Sequence, residues 1–232
     1  MRFTVLTIFP DFFTSPLKYG ILSRAIESGA VEVEIFNLRD FTGDLHRSVD
    51  DRPFGGGAGM IMKIEPIHRA LSGIKTPSSH TVLLSASGKL FHQKKARELS
   101  QKEHIVLICG RYEGVDERVA EHLADEEISV GDYVLSGGEP AALIVMDAVS
   151  RLIPGVVGKE ESLREESFSS PHLLEYPQYT RPRNFQGLTV PEVLFSGDHG
   201  KIEEWKRKKA LEKTRKNRPD LIRRYHGETQ GD

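Results

Sequence analysis

The sequence predicts an α/β protein whose strands form a parallel sheet. From residue 3 to residue 153, short runs of β-branched and aromatic residues alternate with segments whose apolar residues recur at helical spacing. Such alternation is typical of a parallel sheet covered by helices. Three of the runs lead into glycine-bearing segments, at residues 87–88, 110–114 and 131–138. With 232 residues, 38% hydrophobic and 28% charged, the chain can bury the core of one large domain, or of one domain plus a smaller one.

The first predicted elements are a strand, a helix and a second strand. Residues 3–9 are rich in β-branched and aromatic side chains, which predicts a buried strand that Pro10 ends. In residues 31–35 Val and Ile alternate with Glu, which predicts a strand with one wetter face. Between them lies a predicted helix that stops at Gly29 and has apolar residues at helical spacing, namely Leu17, Ile21, Ala25 and Ile26.

A long charged loop interrupts the pattern at residues 38–62. Its second half reads P-F-G-G-G-A-G-M at residues 53–60. Loops this long are usually functional or disordered, and Arg52 is suited to a phosphate or a carboxylate. The alternative is a disordered loop with a structural salt bridge. Glu65 and Pro66 then open a short helix.

The alternating pattern resumes after this loop. It predicts strands at residues 81–85 and 104–108, and helices at residues 91–100 and 117–124. In open α/β sheets ligands bind beyond the carboxyl ends of the strands, where loops gather. We therefore expect a ligand site at the three glycine-bearing segments. Residues 141–153 are apolar on nearly every side, which predicts a buried or interface helix.

The stretch I-S-V-G-D-Y-V-L-S-G-G-E-P-A-A at residues 128–142 is predicted to form the floor of a cofactor pocket. Its two glycine turns indicate backbone that approaches something closely. Together with G-R-Y-E-G at residues 110–114, its amides and carbonyls can hold a purine edge and a ribose between apolar walls at Tyr133 and Leu135. The alternative is ordinary glycines at strand ends. Neither segment matches the dinucleotide or phosphate-loop patterns, so a phosphate-rich cofactor has no special support.

The last third of the chain has a different composition. Residues 159–170 are charged and small, which predicts a linker between a domain at residues 1–158 and a C-terminal domain at residues 171–232. Residues 201–224 hold eleven Lys or Arg against four acidic residues, which predicts a helical appendage with a basic side. Solvated surface usually explains such a charge run. A footprint for phosphates is the functional interpretation.

Composition excludes several other classes. Cys109 is the only cysteine, so neither an intrachain disulfide nor a multi-cysteine metal site can form. The nine histidines lack metal-ligand spacing, and no apolar run approaches the ~20 residues of a membrane helix. The opening residues are too few before Asp11 for a secretion signal. We expect a cytoplasmic protein with no membrane partner. Because the net charge is −2, a nucleic-acid partner would need a local basic patch.

Five motifs together resemble one family along nearly the whole chain. They are V-D-D-R-P-F-G-G-G-A-G-M at residues 49–60, C-G-R-Y-E-G-V-D-E-R at 109–118, S-V-G-D-Y-V-L-S-G-G-E at 129–139, S-R-L-I-P-G-V at 150–156 and Y-T-R-P at 179–182. These motifs closely resemble the bacterial TrmD family of tRNA (guanine-N1)-methyltransferases, of the knotted SPOUT class. The resemblance implies a C-terminal trefoil knot in the parallel-sheet domain, which is an exception to the usual rule against threaded connections. It also implies a small, mostly helical C-terminal domain that binds tRNA.

The same resemblance implies a cofactor, partners and contact residues. S-adenosylmethionine is the methyl donor, Mg²⁺ is a further expected requirement with no site marked in the sequence, and a homodimer shares its active sites between subunits. The implied cofactor contacts are Ser85, Gly110, Tyr112, Glu113, Val130, Gly131, Asp132, Tyr133, Val134, Leu135, Gly137 and Gly138. The implied contacts to tRNA and the guanine are Arg52, Gly56, Gly57, Glu175, Tyr179 and Arg181.

The implied reaction is methylation of N1 of the guanine 3′ of the anticodon, at tRNA position 37. Neutral guanine carries a proton on N1, so a base must remove it as the methyl group transfers. Glu166 is the expected base and Arg151 the cation that stabilises charge at the guanine O6. The family usually has aspartate before Ser-Phe and at the position of Glu175, so this chain carries two longer acids. The neighbouring Glu165 is an alternative base.

Two other functions fit the same residues. One is a knotted methyltransferase that acts on a different RNA target. The other is a noncatalytic RNA-binding protein of the same fold, which would bind tRNA without transferring a methyl group.

Overall fold

The structure is a computed structural model that describes residues 1–158, 166–169 and 173–222. The chain divides into two compact units, Met1–Gly158 and Lys159–Asp232. Its strands are β1 (Arg2–Thr7), β2 (Glu32–Asn37), β3 (Asp50–Asp51), β4 (Ile61–Met62), β5 (Ser79–Leu90), β6 (His104–Cys109), β7 (Glu126–Ser129), β8 (Asn184–Phe185) and β9 (Leu188–Thr189). Its helices are α1 (Gly20–Glu27), α2 (Ile64–Ile74), α3 (Gln93–Ser100), α4 (Glu117–His122), α5 (Glu139–Ser150) and α6 (His199–Asn217).

The first unit is built on a five-stranded sheet in the order β2-β1-β6-β5-β7. Every neighbouring pair in it is parallel, so the predicted α/β class with a parallel sheet is confirmed. A helix precedes each of β2, β5, β6 and β7 and returns the chain so that the next strand runs parallel to its neighbours. The trefoil knot that the resemblance implies stays a prediction.

Two apolar layers cover the two faces of the sheet. Side chains such as Phe3, Val5 and Leu107 pack in one cluster with residues from α1, α3 and α5. The alternate side chains, such as Leu6 and Ile108, pack in a second cluster with α2 and α4. Because successive residues of a strand point to opposite faces, one apolar run supplies both layers.

One expected loop lies inside a strand. The sequence predicts a strand that ends at residue 85 and a glycine-bearing loop at residues 87–88, whereas β5 continues to Leu90. Its pairing with β7 shifts register there, so that Leu84 and Lys89 both pair with Ile128. Hydrogen bonding to a neighbouring strand on either side of the irregularity overrides the local turn preference of Ser and Gly.

The described part of the second unit is dominated by α6, which lies in the predicted helical region. The Asp198 side chain caps this helix by accepting a hydrogen bond from the Lys201 backbone N–H. Before α6 in the chain, strands β8 and β9, of two residues each, pair as an antiparallel hairpin. The sequence at residues 172–183 is too rich in proline, at Pro177 and Pro182, for a central strand. Residues 173–180 adopt no regular secondary structure.

Candidate functional site

A cavity of 290 Å³ opens at the carboxyl ends of the central strands. It is lined by residues 83–87 of β5, by the loop after β6 at residues 110–115 and by residues 127–131 and 133–138 around the end of β7. Parallel strands bring these ends to one edge of the sheet, which is why segments far apart in sequence meet there. This edge is where the glycine-bearing segments predict a ligand.

The cavity gathers almost all of the expected cofactor contacts. Asp132 is the exception, since it is not among the lining residues. The lining residues from that set are Ser85, Gly110, Tyr112, Glu113, Val130, Gly131, Tyr133, Val134, Leu135, Gly137 and Gly138. Most of these lining residues belong to the loops in which the glycine turns lie.

Apolar side chains form part of the wall. Tyr133, Val134 and Leu135 are 52%, 91% and 37% exposed, although large apolar residues in this unit are otherwise mostly buried. The Tyr133 hydroxyl donates to the Val130 carbonyl oxygen at 3.2 Å, which ties the ring to its own loop. Such a wall suits a ligand with a flat apolar face and polar edges.

Gly138 explains why this segment needs glycine. A Cβ at this position would lie 2.7 Å from the Cα of Cys109. The Gly138 N–H donates to the Gly110 carbonyl oxygen at 2.9 Å. The two loops therefore touch through their backbones, and a side chain would separate them.

A buried ion pair joins the same two loops, and sequence reasoning did not find it. Glu139, 0% exposed, accepts from the Arg111 Nε at 2.8 Å and from the Thr7 hydroxyl at 2.6 Å. The Arg111 guanidinium also donates to the Ser136 carbonyl oxygen at 3.1 Å and lies 4.6 Å from the centre of the Phe9 ring. A buried carboxylate needs such partners because desolvation is costly. The available signal was an acid in the first turn of a helix directly after a glycine turn.

Cys109 lies behind this ion pair and is not a nucleophile. Burial raises the pKa of its thiol well above the usual range, and the negative charge of Glu139 acts in the same direction. The side chain is fully buried. Since only the thiolate reacts, this cysteine is a small apolar core residue.

The predicted loop residues Arg52, Gly56 and Gly57 are all exposed in the first unit. They belong to the connection between β3 and β4, which pair as an antiparallel ladder. Arg151 also belongs to this unit and follows α5 directly, with its backbone N–H donating to the Asp147 carbonyl oxygen at 3.2 Å.

The two expected acids belong to the second unit. Glu166 and Glu175 both line a cavity of 180 Å³ there, together with residues such as Lys206 and Arg207 of α6. The Glu175 backbone N–H donates to the Ser167 hydroxyl at 3.0 Å, which holds the two segments together. The alternative base, Glu165, lies outside the described residues.

The remaining expected tRNA contacts are on the surface of this unit. Tyr179 is 50% exposed and its ring centre lies 6.4 Å from that of Trp205. Arg181 is exposed as well. Their side chains are accessible to a large partner.

The described ranges contain neither a metal-ligand group nor a membrane-spanning helix. Over residues 1–158, 166–169 and 173–222, no three His, Cys, Asp or Glu side chains are grouped to hold a metal ion. None of the helices described has both the length and the apolar content to span a membrane. The expected magnesium requirement stays a prediction.

Known proteins match the chain along almost its full length. Residues 1–224 match the family model described as tRNA (Guanine-1)-methyltransferase TrmD. A curated tRNA (guanine-N(1)-)-methyltransferase of Carboxydothermus hydrogenoformans is 56% identical over 223 residues, which is 96% of this chain and 88% of that protein.

Further relatives carry the same name. The protein of Dictyoglomus turgidum is 56% identical over 222 residues, covering 96% of this chain and 90% of its own. That of Clostridioides difficile is 50% identical over 228 residues, covering 97% of this chain and 98% of its own. The similarity includes both the segments around the first cavity and the C-terminal unit.

Proposed function

Because the chain belongs to the TrmD family of tRNA (guanine-N1)-methyltransferases, we propose that it methylates N1 of a guanine in tRNA, with S-adenosylmethionine as donor. The family match over residues 1–224 carries this proposal. The target is the guanine 3′ of the anticodon, at position 37. The reaction takes place in the cytoplasm, where tRNA is the partner.

The chemistry of the first cavity suits the donor. Its volume of 290 Å³ is just below the ~300–1,000 Å³ range of ligand pockets. The donor combines a purine, a ribose and a charged methionine part. Backbone groups of residues 110–114 and 130–138 would hold the polar edges of the donor, and Tyr133 and Leu135 would flank the purine. When bound, the donor supplies an electrophilic methyl group on a sulfonium.

The acids of the second unit supply the proton acceptor. Glu166 takes the proton from guanine N1 as the N1–methyl bond forms and the methyl–sulfur bond breaks. Glu175 lines the same cavity, which supports its proposed contact with the guanine. Arg151 stabilises the negative charge that develops on O6. Alignment of the two reactants supplies much of the remaining acceleration.

A homodimer with shared active sites is part of this proposal. The donor cavity belongs to Met1–Gly158 and the acids to Lys159–Asp232. We propose, as the family implies, that each active site draws residues from both subunits. The knotted arrangement of the first unit and magnesium dependence are further proposals that follow from the family.

The direct test is methyl transfer to unmodified tRNA. We expect transfer to tRNA with guanine at position 37, and none when adenine replaces that guanine. Mass spectrometry of digested nucleosides then identifies 1-methylguanosine. Equal transfer to both RNAs would mean a different target, and tRNA binding without transfer would mean a noncatalytic RNA-binding protein.

A further inference from the structure

Phe54 is an aromatic side chain with no apolar neighbour to cover it. It is 104% exposed, whereas side chains such as Phe3 and Phe13 in the same unit are 0% and 1% exposed. It stands between Pro53 and Gly55 in the loop that joins β3 to β4. A phenylalanine gains nothing from full exposure to water, so its ring is available for a contact with a partner.

The foot of this loop is bound to the donor cavity. The Glu113 N–H donates to the Met60 carbonyl oxygen at 3.1 Å, and the Met62 N–H donates to the Gly114 carbonyl oxygen at 3.0 Å. Glu113 and Gly114 both line the cavity. The loop that carries Phe54 is therefore fixed at one end to the cavity wall.

Gly59 brings the loop close to that wall. A Cβ on Gly59 would lie 2.5 Å from the Glu113 side chain, and its φ of +87° suits glycine alone. No second layer of the loop covers its tip, because a Cβ on Gly55 or Gly56 would meet nothing within 4 Å. Phe54 thus lies in the open part of the loop, next to Gly55, whereas the end of the loop at Gly59 is closely packed against Glu113.

We propose that Phe54 stacks on an unpaired tRNA base next to the target guanine. This inference rests on the proposed function. To react at N1, a guanine in a loop must leave its stacked neighbours, which exposes the faces of those bases. An aromatic ring accepts any base face, so the contact does not depend on the identity of the neighbour. The exposed Arg52 lies two residues away and supplies a cation for the adjoining phosphate.

The charge of the surroundings favours RNA over an apolar partner. The loop follows Asp51 and Arg52 and is rich in glycine, and no other aromatic or branched apolar side chain lies between residues 52 and 60. A single ring beside a cation can stack on one base, whereas a protein interface of useful size needs a larger apolar area. A second copy of this chain is therefore the competing occupant that the test must separate.

The test compares Phe54→Ala, Phe54→Leu and Phe54→Trp in the full-length protein. We expect Ala and Leu to lower kcat/KM for tRNA about 5- to 100-fold, mostly through KM, and Trp to keep the wild-type value. The dissociation constant for S-adenosylmethionine and the unfolding temperature should not change, because Phe54 touches neither cofactor nor core. Equal activity of all three variants, or full activity of Phe54→Leu, would overturn the stacking contact.

Two further measurements make the outcome specific. An anticodon stem-loop with 2-aminopurine beside the target guanine should change fluorescence on binding to the wild type and much less with Phe54→Ala. Light scattering should give the same particle mass for both proteins. A lower mass for Phe54→Ala would assign the ring to a contact between copies instead. If the wild type methylates no tRNA, the proposed function fails, whereas a methylating wild type with an unaffected Phe54→Ala sinks only this inference.

Discussion

The donor cavity of the first unit differs in construction from the cavity lined by Glu166 and Glu175 in the second unit, here called the acid cavity. The donor cavity lies on a sheet with buried side chains on both faces, and its two main loops are joined by backbone contact and by the Arg111–Glu139 pair. The acid cavity is lined by Glu166, Ser169 and residues 173–176 together with α6, and in the described part of that unit only Ala210, Thr214 and Leu221 are buried. A preformed site suits a small donor that must be aligned, whereas an open one suits a large RNA partner.

The largest expected effect comes from the acid cavity. Glu166→Gln removes the proposed proton acceptor with little change in shape, so we expect kcat to fall about 10²- to 10⁴-fold. Single-turnover methyl transfer and calorimetric binding of S-adenosylmethionine measure the two quantities separately. The matched control is Glu165→Gln, which should retain activity. Loss of cofactor binding in Glu166→Gln would place this residue in the donor site and erase the contrast.

Breaking the ion pair tests whether the donor loops depend on it. Glu139→Gln leaves the Arg111 guanidinium without its carboxylate, and removal of one partner of a buried pair costs about 3–5 kcal/mol. Urea unfolding should show this loss, together with weaker binding of S-adenosylmethionine. The exposed pair Lys75–Asp125 is the control, since Lys75→Ala should cost about 0–1 kcal/mol. Equal effects in the two variants would contradict a special role for Glu139.

Gly138→Ala tests the close approach of the two loops. The added Cβ would lie 2.7 Å from the Cα of Cys109, so the loops must separate. We expect at least tenfold weaker cofactor binding, on the order of 1.4 kcal/mol. Gly73→Ala in α2 is the control, because its Cβ would meet nothing within 4 Å and alanine favours a helix. Unchanged cofactor affinity in Gly138→Ala would show that the spacing of the loops is not critical.

Acid should weaken the sheet through His104. This side chain is buried, and burial together with the positive charge of Arg2 lowers its pKa. In the unfolded chain its pKa is about 6.5, so the unfolded state takes up a proton that the folded state does not. Stability should therefore fall as pH drops below about 6.5, and the slope should end below the folded-state pKa.

Urea unfolding of the wild type and of His104→Gln between pH 7.5 and pH 5.5 checks this. The wild type should lose stability over that range and the variant should lose less. Identical slopes would mean that other groups control the acid sensitivity of the sheet.

The smallest expected effect concerns the basic side of α6. Lys208 and Arg215 are exposed on this helix. Replacing both with Gln should reduce the slope of log affinity against log salt by about 0.7–1 for each lost phosphate contact. Protein stability should not change, and replacement of both Lys18 and Lys102 in the first unit with Gln serves as a charge-matched control. An unchanged salt slope would remove α6 from the RNA surface.

Local sequence patterns were sufficient to predict most of the secondary structure of the first unit. Alternating periodicity predicted the strands of the sheet, and glycines at strand ends predicted the edge where the donor cavity lies. The one misplaced loop, at residues 87–88, lies in a strand because β7 pairs with both ends of the irregularity. That pairing joins residues about forty positions apart, and local turn chemistry carries no information about it.

Periodicity and glycine positions are local properties, so they were enough to predict the α/β class and the segments that surround the donor cavity, and the family motifs are local as well. The contact of Glu139 with both Thr7 and Arg111 is visible only in the tertiary structure. The same holds for the position of Asp132 outside the lining of the first cavity, and for the shared cavity of Glu166 and Glu175. These are contacts between side chains that packing brings together across the fold. Their geometry depends on how whole helices and strands pack, and no stretch of neighbouring residues specifies that packing.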